Sequence, residues 1–142
     1  MKHMTKITIF SMILLLISMN GCLKTEPGWK DMGRATVTGD VNALMEKAWK
    51  LKTQADSRDK VLELIRTYKE IVAIEPENHA ALTALGDNYC LLGMAYSPDT
   101  AEKKKAHLKS MAYCEKAMYT NREFAALVDK GESLWDACRV LG

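Results

Sequence analysis

Proline is nearly absent from this 142-residue chain: Pro27, Pro76 and Pro98 are its only three. A chain so poor in helix breakers can sustain long helices, and each proline then marks a boundary. No stretch alternates apolar and polar residues over a useful length, which argues against any sheet. The sequence has no GxGxxG, P-loop, HExxH, CxxC or CxxCH, so the usual local signatures of nucleotide, zinc-protease, thiol-redox and haem sites are missing. Histidine is limited to His3, His79 and His107. His79 follows a helix cap and His107 sits in "KKKAHLK", so both are predicted on wet faces and neither as a metal ligand. The lysine run at 103–105 is predicted as a solvated face. The expectation is a protein that is not an enzyme and needs no cofactor or metal.

Charge of one sign is lacking too. The formal charge is +2, but Lys2 and Lys6 precede residue 22 and no acid does, which leaves 18 basic and 18 acidic residues in the body. A neutral body has no nucleic-acid footprint. The apolar stretch Ile7–Ile17 falls short of the ~20 residues that span a bilayer. It lies behind a basic start and before "SMNGC", which is the layout of a secretory signal. With Gly21 before Cys22, residues 1–21 resemble a bacterial lipoprotein signal peptide. The resemblance implies lipidation (such as palmitate) of Cys22 and a protein held on the bacterial cell envelope, facing the periplasm or exterior. Two or more acyl chains hold a protein stably on a lipid bilayer, whereas one does so marginally. Residues 22–39, "CLKTEPGWKDMGRATVTG", have no sustained helical period and are predicted as a flexible tether. Whether Trp29 docks on the body is open at this level.

Residues 40–142 are predicted as one all-α domain of about six helices in antiparallel pairs. Asp40 suits an N-cap, followed by Val41, Leu44, Met45, Ala48, Leu51 and Ala55 at helical spacing. A second stripe carries Val61, Leu64, Ile65, Tyr68, Ile71 and Val72 and ends at Pro76. Asn78 opens a third helix, "NHAALTALGDNYCLLGMAY". In "SPDT", Ser97 is the predicted cap and Pro98 the first helical residue. The fourth helix runs to about Tyr119, a short one follows "TNREF" up to Gly131, and "ESLWDACRVL" forms the last.

The third helix carries Gly86 and Gly93 in one apolar stripe with Leu82, Leu85 and Tyr89. A mid-helix glycine costs about 1 kcal/mol relative to alanine. Two on one face predict a groove into which a partner helix sinks. Helix pairs of this kind call for a search for repeats. Leu82, Leu85-Gly86 and Tyr89, with Tyr68 and Pro76 before them and Ala117 and "YTNREF" after, resemble the tetratricopeptide repeat. The resemblance implies an α-solenoid fragment, with a connecting hairpin longer than the repeat's. More narrowly, "EPENHAALTALGDNY" and "DTAEKKKAHLKSMAYCEKAM" are similar to the long-helix T-component lipoproteins of tripartite (TRAP-type) transporters.

That likeness implies a periplasmic lipoprotein working with a solute-binding protein, with a small apolar ligand as its cargo. The repeat family also implies that first helices line a concave, partner-binding face. Here Thr83, Asp87, Cys90 and Met94 fall on one side of the third helix. Two readings stand: a binding face for an envelope protein, or core. A generic envelope scaffold with protein partners only is the rival function, and an envelope enzyme or metal protein the remote one.

Cys90, Cys114 and Cys138 leave an odd count beside Cys22. With the third turn centred near residues 97 and 98, Cys90 faces roughly residue 105. Cys114 then lies nine residues on, ~13 Å away along the helix axis, beyond the ~7 Å that a bridge tolerates. The expectation is a Cys114–Cys138 disulfide with Cys90 free, against three reduced thiols.

Overall fold

The computed structural model describes residues 27–141, and every regular element among them is helical. The predicted signal segment and Cys22, the predicted lipidation site, lie outside the described residues. The order is a 3₁₀ turn (Gly28–Asp31), α1 (Val41–Lys52), α2 (Arg58–Ile74), α3 (His79–Leu91), a π-helical turn (Leu92–Tyr96), α4 (Thr100–Tyr119), α5 (Arg122–Asp129) and α6 (Leu134–Leu141). None of the described helices is long and apolar enough to cross a membrane.

The helix starts follow from local chemistry. Asp40 accepts the Ala43 N–H at 3.0 Å and Asn78 accepts the Ala81 N–H at 3.0 Å. Asn121 takes the N–H groups of Glu123 and Phe124. The start of α4 corrects the sequence reading. Its cap is Asp99, which accepts the Glu102 N–H at 2.8 Å, and its first residue is Thr100. Ser97 instead donates its hydroxyl to Leu92 O at 2.9 Å, satisfying a carbonyl at the widened π turn.

The elements pack in sequence order: α1 on α2, α2 on α3, α3 on α4, α4 on α5 and α5 on α6. The backbone of α1 approaches α2 and no other described helix within 8 Å. One continuous core joins Ala48 of α1, Val61, Leu64, Ile65, Tyr68 and Ile71 of α2, Ala81, Leu85 and Tyr89 of α3, and Leu92. The predicted stripes of α1 and α2 supply it. Thr67, 1% exposed, returns its hydroxyl to Glu63 O, so this buried hydroxyl is satisfied within its own helix.

The segment predicted as a free tether is seated on the body from residue 27 onward. The Gly28 N–H donates to the Glu115 carboxylate at 2.5 Å. Trp29 stacks on Tyr119, ring centroids 6.1 Å apart and planes inclined by 17°. Thr36 then bonds its N–H to Ala73 O at 2.9 Å near the end of α2. The docking needs glycine at residue 28, because a Cβ there would lie 2.2 Å from Ala112 O.

Candidate functional site

The geometry of α3 is set by its back. Leu82, Leu85, Gly86 and Tyr89 are all buried, as is Gly93 in the π turn. A Cβ at Gly86 would stand 2.5 Å from Cys114 Sγ and 3.5 Å from Ser110 O. A Cβ at Gly93 would stand 3.0 Å from the His107 ring and 3.2 Å from Ala106 Cβ. Ser110 donates its hydroxyl to Gly86 O at 2.8 Å, across the two helices. Helix α3 is thus pressed onto α4 at two levels, with the glycines providing the room. His107, expected on a wet face, is half-buried against Gly93. His79 stays exposed, as expected, with its Nδ1 3.0 Å from both Ala117 O and Thr120 Oγ1.

These contacts fix the hairpin register and correct the expected one. Gly86 faces Ser110 and Cys114, and Gly93 faces Ala106 and His107. Cys90, between the two glycines, therefore sits level with the stretch from His107 to Ser110, not with residue 105. The π turn is the cause: it adds a residue to the helix end, and the hairpin turn moves toward α4. The Cys114–Cys138 disulfide is not formed. Cys90, Cys114 and Cys138 are all free thiols. Gly131, at φ +99°, turns α6 back onto α5, so α6 does not reach α4, while Cys114 is turned toward Gly86. Burial pushes the Cys114 thiol up, reinforced by the negative charge of Asp87 and partly opposed by a hydrogen bond with Ser110. It stays a neutral thiol at pH 7 and is a poor nucleophile.

The front of α3 is open. Thr83 and Asp87 are exposed, Cys90 is half-buried and Met94 is 72% exposed. Cys90 Sγ lies 3.6 Å from Met94 Sδ, so the lower half of this face is a soft sulfur patch beside the Asp87 carboxylate. None of the four residues contributes to the continuous core. Among the described residues no group of three or more His, Cys, Asp or Glu side chains is placed to hold a metal.

A second feature escaped sequence reasoning. Leu62, Tyr89, Leu92 and Ala106 floor a cleft of about 220 Å³ with Ser97, Glu102, Lys105 and Lys109 around it. Tyr89 stacks flat on Tyr113, centroids 5.6 Å apart, and Lys109 Nζ sits 5.1 Å from the Tyr89 ring centroid. Glu102 pairs with Arg58 of α2 at 3.3 Å. The cleft draws on α2, α3, the π turn and α4, and no local motif announces it. Lys105 and Lys109 are exposed, as expected of that run, and only the helix register sets them apart from their neighbours. No protein-family model, curated protein or solved structure matches this chain.

Proposed function

We propose that this protein is a non-catalytic interaction module, a lipid-anchored envelope lipoprotein of tetratricopeptide-like helix pairs that docks a partner protein on the front of α3. The observation that carries the reading is the contrast between the two sides of that helix. Its back is held against α4 through Gly86 and Gly93, and its front offers Asp87 and the Cys90–Met94 pair to solvent. A rigid helix with an exposed carboxylate beside a polarizable apolar patch suits a partner carrying a basic group next to an apolar anchor. The likeness to T-component lipoproteins makes a periplasmic solute-binding protein the partner, and a TRAP-type transporter the system served.

The cleft beside Tyr89 suits an anchoring side chain of a partner. At about 220 Å³ it is below the ~300–1,000 Å³ of ordinary ligand pockets. It would accept one anchoring side chain more readily than a whole apolar ligand.

The test is crosslinking in intact cells, repeated with Asp87→Lys and Met94→Glu. Both positions are exposed, so stability should change by less than about 0.5 kcal/mol. Reversed charge against a complementary partner costs up to several kcal/mol, so the crosslinked partner should vanish while the helical circular dichroism and melting temperature hold. Partner capture unchanged in both variants would place the interface elsewhere. The anchor has its own test. Cys22→Ala should leave an unprocessed or mislocalised protein, whereas wild type fractionates with membranes and carries lipid on Cys22. A wild-type protein recovered unlipidated and soluble would refute the anchor.

A further inference from the structure

Two sulfurs and an imidazole meet where α3 runs into the π turn, and none of them belongs to the continuous core. Cys90 Sγ lies 3.6 Å from Met94 Sδ. From α4 the His107 ring reaches across to Gly93, its Nε2 3.1 Å and its Cε1 3.0 Å from the place a Gly93 Cβ would take. Gly93 is next to Met94 and three residues from Cys90, and side chains three apart on a helix are neighbours at ~5–6 Å. The bare glycine therefore leaves the space between the ring and the sulfurs unfilled. His107 is half-buried and makes no hydrogen bond or ion pair of its own.

All three lie on one edge of the α3–α4 seam. Tyr89 and Tyr113 stack along the other edge. Counted from those tyrosines, Cys90 is about 100° round α3 and His107 about 120° round α4, in the same sense. The two helices run antiparallel, since Gly86 faces Ser110 and Gly93 faces Ala106, so equal senses of rotation lead to the same side.

The donor set selects the ion. Among the described residues no three His, Cys, Asp or Glu side chains are placed to share a metal, which disfavours zinc, calcium and magnesium. A thiolate and a thioether are soft ligands of the kind that select Cu(I). With metal–sulfur bonds of ~2.3 Å, as for zinc, sulfurs 3.6 Å apart subtend about 100° at a shared ion and leave room for a third donor. One thiolate and one monovalent ion cancel in charge, which suits a half-buried seam. The exposed Asp87 carboxylate, one turn before Cys90, draws cations to it. Gly93 and Met94 both sit in the π turn, and such turns occur often at functional sites.

We propose that Cys90, Met94 and His107 form a Cu(I)-binding site at the α3–α4 seam. On binding, the Cys90 S–H bond breaks, its electron pair forms the S–Cu bond and the proton passes to solvent. Met94 Sδ and the His107 Nε2 give lone pairs without losing a proton, and copper stays in the +1 state. The site needs no partner protein, so it goes beyond the docking role of α3 and is tested separately from it.

The experiment is anaerobic Cu(I) titration of the full chain against the chelator bathocuproine disulfonate, with X-ray absorption at the copper edge. Wild type should hold one copper per chain, release one proton and show a shell of two sulfurs and one nitrogen. Losing a second-shell partner alone costs ~10–100-fold in metal affinity. Cys90→Ser, Met94→Leu and His107→Gln should therefore each weaken binding by about tenfold or more, with circular dichroism unchanged. Cys114→Ser and Cys138→Ser should bind like wild type. Absence of stoichiometric copper would overturn the site. So would copper held as tightly as in wild type by any of the first three variants, or lost in Cys138→Ser.

Discussion

Gly86→Leu is expected to lower the melting temperature by roughly 10–20 °C, the shift that a loss of about 2–3 kcal/mol makes in a domain of this size. The opposing effects can be weighed. Replacing a mid-helix glycine gains about 1 kcal/mol of intrinsic helix preference. Against that, the new Cβ would sit 2.5 Å from Cys114 Sγ and 3.5 Å from both Cys114 N and Ser110 O. The thiol can rotate away, so Gly86→Ala should be tolerated with a small loss. The backbone of α4 cannot rotate away, and a leucine has nowhere to go but into it. Forcing the helices apart also breaks the Ser110 hydroxyl bond to Gly86 O at 2.8 Å. Thr83→Leu, on the exposed front of the same helix, is the control and should stay within about 0.5 kcal/mol of wild type. A double-mutant cycle of Gly86→Ala with Cys114→Ala should show positive coupling of about 0.5–1.5 kcal/mol. Gly86→Leu melting like wild type would mean that α3 and α4 are not in close contact at this level.

What could be read from the sequence was mostly local. The caps at Asp40 and Asn78, the stripes of α1 and α2, and the glycine side of α3 depend on residues a few positions apart. The chemistry of helix starts and helical spacing therefore finds them. The cap of α4 was misjudged because "SPDT" offers two caps in succession, and proline at the first helical position favours Ser97. The choice of Asp99 follows from the π turn, whose Leu92 carbonyl takes the Ser97 hydroxyl. Nothing in the 3.6-residue period from Leu82 to Tyr96 signals that turn. The cysteine pairing failed for a different reason: it required α6 to reach α4, and α6 packs on α5 instead. The cleft and the seat of Trp29 were out of reach for another reason. Glu115 and Gly28 are 87 positions apart, and a partnership of that kind exists only once the tertiary fold does. The front of α3 stood between core and surface, because its residues are apolar enough for either. The exposure of Met94 decided it, and only packing could.

Gly28→Val should release the N-terminal strap while the helical body stays folded. The added Cβ would meet Ala112 O at 2.2 Å, Ala112 Cα at 2.7 Å and Ala112 C at 2.8 Å, all backbone atoms of α4. That backbone is fixed mid-helix, so the strap must yield. It then loses the Gly28 N–H bond to the Glu115 carboxylate and the Trp29 stack on Tyr119. A bond to a charged acceptor contributes ~1.5–3 kcal/mol and an aromatic pair ~0.5–1.5 kcal/mol, partly offset by freedom the strap regains. The body should hardly notice, since its core from Ala48 to Leu92 contains no residue of the strap. Two readouts follow. Trypsin cleavage after Arg34 should accelerate by about tenfold or more, which a docking loss of ~1.4 kcal/mol suffices to produce. The Trp29 emission should shift toward that of an exposed indole, with circular dichroism unchanged. Glu115→Gln keeps the shape but removes the charge, so it should give a smaller acceleration of the same cleavage. If Gly28→Val is cut no faster than wild type and Trp29 emission does not move, the strap is not held at Ala112.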